Sequence, residues 1–185
     1  MLHFEILQEL QSMVTDGLID LLSVMDHTPG QGQFPDKEKY MERMEDYTEV
    51  GKKEFEEIIE YRIQAHESRN EAEIEELIET CLKHGLAVAS HDDDTLEKIK
   101  WVHSMGVTIS EFPVNKTAVQ AAQDHEMAIA FGAPNVIRGK SLSGNISAKE
   151  TIAKGLGSIL CSDYAPLSLL HVIFLLSNEK LMSIE

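Results

Sequence analysis

The chain has 185 residues, which is enough for a domain with a hydrophobic core, and we expect residues 1 to 185 to form a single domain. Its 16 basic and 32 acidic residues give a formal net charge of -16, which argues against nucleic-acid binding and against anionic membrane surfaces. The two cysteines, Cys81 and Cys161, are far apart and have no metal-ligand spacing, which suits a reducing cytosol better than a disulfide framework. No signal-peptide pattern and no bilayer-spanning apolar stretch occur, so the sequence predicts a cytoplasmic protein.

The chain begins with two short apolar segments. Residues 2 to 6 predict a first strand that carries Glu5, and a helical pattern follows it. Residues 18 to 25 predict a second strand, which ends at Asp26 and His27. Glycine and proline follow directly, so we expect a loop after these two residues.

A long acidic region comes next. Residues 36 to 84 predict an acidic helical region, with a break between two helices near residues 67 to 70. Residues 36 to 80 alone hold 16 acidic and 7 basic residues. This pattern is typical of a solvated helix face, and a partner-binding surface is the alternative interpretation.

In the C-terminal half, predicted strands alternate with predicted helices. The strands cover residues 86 to 90, 107 to 112, 127 to 131 and 157 to 162, and the helices cover 95 to 105, 116 to 125, the segment from 148 after a Ser147 cap, and 166 to 177. This alternation predicts an α/β fold with a parallel sheet. Six strands are fewer than the eight of a closed (β/α)₈ barrel, so a small doubly wound domain and a partial barrel both remain open.

The strand over residues 86 to 90 leads into His91 and three carboxylates, Asp92, Asp93 and Asp94. Because burial of an unpaired carboxylate is costly, we expect this group to face water, a metal ion or a cationic partner at the open end of the strand. A buried strand that delivers His and Asp at its carboxyl end is typical of α/β enzyme sites.

Functional groups follow most of the other predicted strands too. They are Glu5, His27, Glu111 and Asp163, the last followed by Tyr164. A single strand-end histidine is more often a hydrogen-bonded scaffold residue, but so many ends together favour a site. Imidazole and carboxylate oxygen are ligands that catalytic zinc or manganese accepts.

A glycine- and serine-rich loop over residues 138 to 145 is the candidate anion site. Its donors are Arg138, Lys140, Ser143, Gly144 and Asn145. Glycine lets backbone amides approach a phosphate, and the side chains add hydrogen-bond donors. The spacing is not that of a nucleoside-triphosphate P-loop, and a flexible surface loop is the alternative interpretation.

Six short motifs occur in one order along nearly the whole chain. They are MDHTPGQ (25 to 31), SHDDDT (90 to 95), SEFP (110 to 113), GAPN (132 to 135), SGN (143 to 145) and SDY (162 to 164). This series resembles the alkylphosphonate-pathway diphosphatases, the PhnM family of the amidohydrolase superfamily. The resemblance implies a metal-dependent hydrolase on a (β/α)₈ barrel. Such enzymes convert α-D-ribose 1-methylphosphonate 5-triphosphate into the 5-phosphate and pyrophosphate.

The resemblance also implies roles for individual residues. The implied ligands of a divalent metal, zinc or manganese, are Glu5, His27, His91 and Asp92, with Asp92 to Asp94 either holding a second metal or ordering the site. Asp163 would accept a proton from the attacking water, and His91 would belong to the same catalytic centre. Phosphate oxygens of the phosphorylated ribose phosphonate would contact Arg138, Lys140, Ser143, Gly144 and Asn145.

The chain departs from the family pattern in two places. Counted back from Asp163 as the eighth-strand carboxylate, the predicted strands correspond to strands 3 to 8, which leaves out the superfamily's His-x-His strand. Leu142 stands where the family pattern predicts a histidine between two serines. We therefore expect this stretch alone to have little or no diphosphatase activity.

Two other interpretations remain. The first is an inactive barrel fragment that binds a partner or associates with itself as a homo-oligomer, because an open barrel exposes two strand edges and an apolar interior. The second is an HD-type phosphohydrolase, suggested by the pair His91 and Asp92. That fold carries its His-Asp pair on a helix, and the apolar strand before His91 disfavours it.

Overall fold

The computed structural model describes residues 4 to 30, 32, 33, 38, 40, 52 to 68, 70 to 141 and 145 to 183, without the side chains of residues 4 to 6 and 52. The described elements in chain order are α1 (Phe4–Thr15), β1 (Leu21–Val24), α2 (Lys52–Glu67), α3 (Glu71–Lys83), β2 (Ala87–His91), α4 (Leu96–Ser104), β3 (Ile109–Glu111), α5 (Lys116–Asp124), β4 (Ala128–Gly132), α6 (Ala133–Arg138), α7 (Ala148–Ile152), β5 (Ile159–Cys161) and α8 (Ser168–Asn178). The predicted α/β class is confirmed.

The five strands form one parallel sheet in the order β1-β2-β3-β4-β5. A doubly wound sheet reverses its strand order at a switch point, whereas this order never reverses. Because β-α-β crossovers are right-handed, an unreversed order places the connecting helices on one face of the sheet. The topology is therefore compatible with part of a barrel.

The strand predicted over residues 2 to 6 is wrong, because Phe4–Thr15 is a helix. Leu7 and Val14, two helical turns apart, are buried in the structure. Residues 2 to 6 alternate apolar and polar, which is the period of a strand, but five residues are too few to distinguish that period from the start of an amphipathic helix. The described sheet consequently has five strands instead of the predicted six.

Helix boundaries agree closely with the local capping residues. Asn70 accepts a hydrogen bond from the Ala72 N–H at 3.2 Å and starts α3, which confirms the predicted break near residues 67 to 70. Ser147 accepts from the Glu150 N–H and starts α7, as predicted. Such caps satisfy N–H groups that the first helical turn leaves without partners.

The two faces of the sheet have different environments. One face, which we call the covered face, packs against the helices and contributes Val88 and Ile129 to the hydrophobic core. The opposite face, which we call the cavity face, contains the cross-strand row His91, Glu111, Ala130 and Ile159. Within the described ranges, no helix has the length and apolar character needed to cross a membrane.

Candidate metal centre

The carboxyl end of β2 directs two consecutive side chains into one cavity. Strand side chains alternate between faces, so His91 and Asp92 would ordinarily point in opposite directions. Asp92 instead has a left-handed backbone (φ +52°), a conformation that aspartate tolerates better than most residues. Both side chains therefore line the same cavity.

Three ligand-type atoms converge at this strand end. His27 Nε2 and His91 Nδ1 each lie 3.1 Å from Asp92 Oδ2, and the three groups place these atoms within 4.8 Å of one another. The ring centroids of the two histidines are 5.3 Å apart in an edge-to-face arrangement. His91 and Asp92 are buried, whereas His27 is exposed and leaves one side of the group open.

The two buried members have polar atoms that the described residues leave without a hydrogen-bond partner, namely His91 Nδ1 and Asp92 Oδ2. Their 3.1 Å separation is short, but the direction of the contact does not make a hydrogen bond. Burial raises the pKa of Asp92, but the close contact and charge of His27 and His91 outweigh burial and hold that pKa below its ordinary value. Asp92 is thus favoured as a carboxylate.

Unsatisfied buried donors and acceptors are rare in folded proteins, and a bound cation is one way to satisfy them. Two imidazole nitrogens and one carboxylate oxygen fit a divalent metal with three protein ligands and an open position. This donor set suits zinc and other first-row metals, so it does not select one of them. Among the described residues, the side chains of His27, His91 and Asp92 lie close enough together to hold a metal ion.

Of the three carboxylates after His91, Asp93 faces the core, where Lys98 Nζ lies 3.5 Å from its Oδ1 as the cationic partner that was one of the predicted alternatives. Its side chain is fully buried and accepts hydrogen bonds from the hydroxyls of Ser90 (2.6 Å) and Ser110 (2.5 Å). Asp94 Oδ2 accepts from the backbone N–H of Gly32 at 2.8 Å. The three carboxylates therefore point to three different places, which does not support a second metal held by all of them.

The cavity lies at the carboxyl end of the sheet and has a volume of about 370 Å³. His91 and Asp163 both line it, although they follow different strands. Asp163 also has a left-handed backbone (φ +51°), which turns the chain directly after β5. A Cβ added to Gly132 would lie 3.5 Å from Asp163 Oδ2, which is ordinary van der Waals contact and places the end of β4 beside this carboxylate.

The predicted anion loop contributes only part of its side chains to the cavity. Arg138 and Asn145 line it, together with Ser141, which had not been singled out. Arg138 donates a hydrogen bond of 2.5 Å to the Tyr164 hydroxyl, so the two side chains meet at the cavity wall. Lys140 is exposed and does not line the cavity. The predicted roles of Ser143 and Gly144 lie outside the described residues.

Two predicted strand-end groups occupy other positions. Glu5 lies in α1, and its side chain is outside the described part of the chain, so its assignment as a metal ligand stays a prediction. Glu111 Oε2 accepts a hydrogen bond of 2.5 Å from the Ser23 hydroxyl, which ties β3 to β1 on the cavity face.

Phe112 is a site residue whose contribution only the structure reveals. Its ring meets the His91 ring edge-to-face at 5.2 Å, and its backbone is left-handed (φ +54°). A bulky residue rarely adopts this conformation, and such strain is concentrated at functional sites. The sequence signal was its position as the last residue of the strand predicted over residues 107 to 112.

Comparison with known proteins supports the resemblance seen in the motifs. The chain is 34% identical over 178 residues, or 96% of its length, to the alpha-D-ribose 1-methylphosphonate 5-triphosphate diphosphatase of Escherichia coli (strain K12). The chain is similar to the alkylphosphonate-pathway diphosphatases. It spans about half, 47%, of the length of this curated relative.

No family model matches the chain, and no solved structure matches it. The resemblance to the alkylphosphonate-pathway diphosphatases therefore depends on this curated relative. It is confirmed over 96% of the chain. The HD-type alternative is wrong on geometric grounds, because His91 ends a strand in the structure.

Proposed function

We propose that this chain forms the metal-binding part of a diphosphatase that hydrolyses α-D-ribose 1-methylphosphonate 5-triphosphate to the 5-phosphate and pyrophosphate. The observation that carries this proposal is the pair of buried, unsatisfied atoms on His91 and Asp92 beside His27. The curated relative, whose printed name states this activity, supplies the choice of substrate. The unreversed parallel sheet supports a partial barrel. If Asp163 follows the eighth strand of such a barrel, the five strands β1 to β5 correspond to barrel strands 4 to 8.

His27, His91 and Asp92 would hold a divalent cation, with zinc as the first choice and manganese as the second. When bound, the metal would polarise phosphoryl oxygens and offset their negative charge. Such an offset is needed here, because a triphosphate must approach a chain with a net charge of -16. Glu5 remains a predicted additional ligand.

The other cavity residues would bind the phosphates and move the proton. Arg138 provides a positive charge on the cavity wall, and Ser141 and Asn145 add neutral donors to it. Asp163 is exposed at the cavity and is suited to take a proton from the water that attacks phosphorus. Lys140, Ser143 and Gly144 stay predicted phosphate contacts.

The metal site can be tested by titration with zinc and manganese. We expect the chain to bind zinc with defined stoichiometry and His91→Ala to lower the affinity by about a hundredfold or more, because one of three ligands is lost. The matched control is His171→Ala, which removes an exposed histidine that does not line the cavity. Equal zinc affinity of the parent chain and His91→Ala would contradict the proposal.

Turnover can be measured as pyrophosphate release from the ribose methylphosphonate triphosphate with added zinc or manganese. We expect the 185 residues by themselves to turn over far more slowly than the E. coli relative in the same assay. A ligand displacement of about 1 Å lowers a rate on the order of a hundredfold, and the chain spans 47% of the length of this relative. Equal turnover would show that these 185 residues suffice.

A second candidate function is homo-oligomeric assembly. The observation that favours it is the exposure of apolar side chains on the two outer strands, Leu21 on β1 and Ile159 on β5. Unpaired edges and uncovered apolar surface promote association. Size-exclusion chromatography with light scattering tests this candidate, and a monomer at high protein concentration would contradict it.

A further inference from the structure

We propose that the buried side chains of Asp93, Ser90 and Ser110, with the half-buried Lys98, form a clamp that holds the end of β2 so that His91 and Asp92 both face the cavity. This inference rests on the proposed metal centre and adds positioning residues to it. None of the four side chains lines the cavity. Their effect on the metal would therefore pass through the backbone of the two ligands.

Asp93 anchors the clamp in the core. Its carboxylate is fully buried, and its Oδ2 accepts two hydroxyl hydrogen bonds, from Ser90 on β2 and from Ser110 on β3. Ser90 and Ser110 are cross-strand partners in the sheet register, so one carboxylate oxygen joins the two strands. Asp93 Oδ1 lies 3.5 Å from Lys98 Nζ and has no hydrogen-bond partner among the described residues.

Lys98 connects this anchor to the backbone of the metal ligands. Its Nζ donates hydrogen bonds to the carbonyl oxygen of His91 at 2.7 Å and to that of Asp92 at 3.3 Å. One ammonium group thus contacts both ligand carbonyls and the anchoring carboxylate. Helix α4 positions the lysine, because Thr95 accepts a hydrogen bond from the Lys98 backbone N–H and starts the helix there.

The clamp stabilises a conformation that the backbone does not favour by itself. Asp92 must be left-handed for its side chain to join that of His91 in the cavity. Such conformations persist where the surrounding structure over-determines them. Here Asp92 N–H donates to the Glu111 carbonyl at 2.9 Å, and the Asp93 carbonyl accepts from Val114 N–H at 2.9 Å. The clamp adds charged contacts to these two backbone bonds.

The test measures zinc affinity by competition with a chromogenic chelator for Asp93→Asn, Lys98→Met and the double variant. We expect each single variant to bind zinc about ten- to a hundredfold more weakly, which is the usual effect of residues that orient metal ligands. The double variant should lose less than the product of the two single losses, because both residues act through one clamp. Matched controls are Asp16→Asn and Lys100→Met, which alter exposed side chains.

A second readout separates positioning from general loss of stability. Cobalt substituted for zinc reports ligand geometry through its visible absorption, so the clamp variants should show a changed spectrum at saturating cobalt while remaining folded by circular dichroism. If Asp93→Asn does not fold, Ser110→Ala removes only one hydroxyl and decides the question together with Lys98→Met.

Folded clamp variants with parental zinc affinity and parental cobalt spectrum would overturn this inference. The failure of the proposed metal centre gives a different result, since the parent chain and His91→Ala would then bind zinc equally weakly. A loss of affinity in His91→Ala, combined with none in Lys98→Met and Ser110→Ala, would leave the metal centre intact and reject only the clamp.

Discussion

The covered face and the cavity face are made by the same five strands, yet they carry different kinds of residue. On the covered face, Val88 and Ile129 are buried in one continuous core with residues from the helices. On the cavity face, the row that begins at His91 contains Glu111 and ends at Ile159, which is 38% exposed. Packing against the helices therefore stabilises the covered face. The cavity face instead combines polar side chains with exposed apolar ones.

Two consecutive residues show the same difference between the cavity and the core. Asp92 faces the cavity beside two histidines, and Asp93 faces the core with two serines and a lysine. An aspartate is therefore a candidate metal ligand at position 92 and a candidate positioning residue at position 93. Substitutions on one face at a time test this difference between the two faces.

The largest expected effect concerns one isoleucine on each face of the sheet. Ile129→Ala on the covered face should lower the free energy of unfolding by about 2–5 kcal/mol, because it opens a cavity in the core. Ile159→Ala on the cavity face should lower it by about 1.5 kcal/mol or less, because only the buried part of its side chain contributes the usual ~0.8 kcal/mol per methylene. Urea unfolding of both variants provides the measurement, and equal losses would erase the distinction between the faces.

The next effect concerns the two basic side chains of the anion loop. Arg138→Ala should weaken pyrophosphate or triphosphate binding by roughly ten- to a hundredfold, since a charge-assisted hydrogen bond contributes ~1.5–3 kcal/mol. Lys140→Ala tests the second predicted phosphate contact and should weaken binding less than Arg138→Ala, because Lys140 is exposed and does not line the cavity. Calorimetry with metal present measures both affinities. A larger loss for Lys140→Ala would show that the loop rearranges around the ligand.

The smallest effect concerns the two cysteines, one on each side of the sheet. Burial raises the pKa of Cys81. Burial also raises the pKa of Cys161, and the negative charges of Glu111 and Asp163 raise it further against a backbone hydrogen bond from Asp163. Removing one of these charges with Asp163→Asn lowers that pKa and increases the thiolate fraction at neutral pH. Cys161 alkylation should then accelerate on the order of threefold.

The control for this experiment is Asp124→Asn, which changes an exposed carboxylate and should leave both alkylation rates unaltered. Cys81 is fully buried and should react only as fast as the protein unfolds. Mass spectrometry separates the two sites. An unchanged Cys161 rate in Asp163→Asn would mean that this carboxylate does not act on the thiol.

Much of the fold was predictable because its signals are local. These signals depend on residues only a few positions apart in the chain. They include the helix caps at Asn70 and Ser147, the apolar run before His91 and the alternation of strands and helices. The prediction failed at residues 2 to 6, where five residues alternate apolar and polar with the period of a strand, but those from Phe4 onward belong to the first turn of a helix. The unreversed strand order also needed the structure, since sequence alternation alone allows both a doubly wound sheet and a partial barrel.

The amino-acid sequence by itself determined the α/β class, the strand ends where chemistry-bearing residues collect, and the likeness to phosphonate-pathway diphosphatases. Only the tertiary structure decided that Asp92 turns toward the histidines while Asp93 turns into the core, and that Arg138 lines the cavity while Lys140 does not. The physical reason is that caps and periodicity act between neighbours in the chain. The direction of a strand-end side chain depends instead on backbone bonds and partners such as Ser110, which is contributed by another strand.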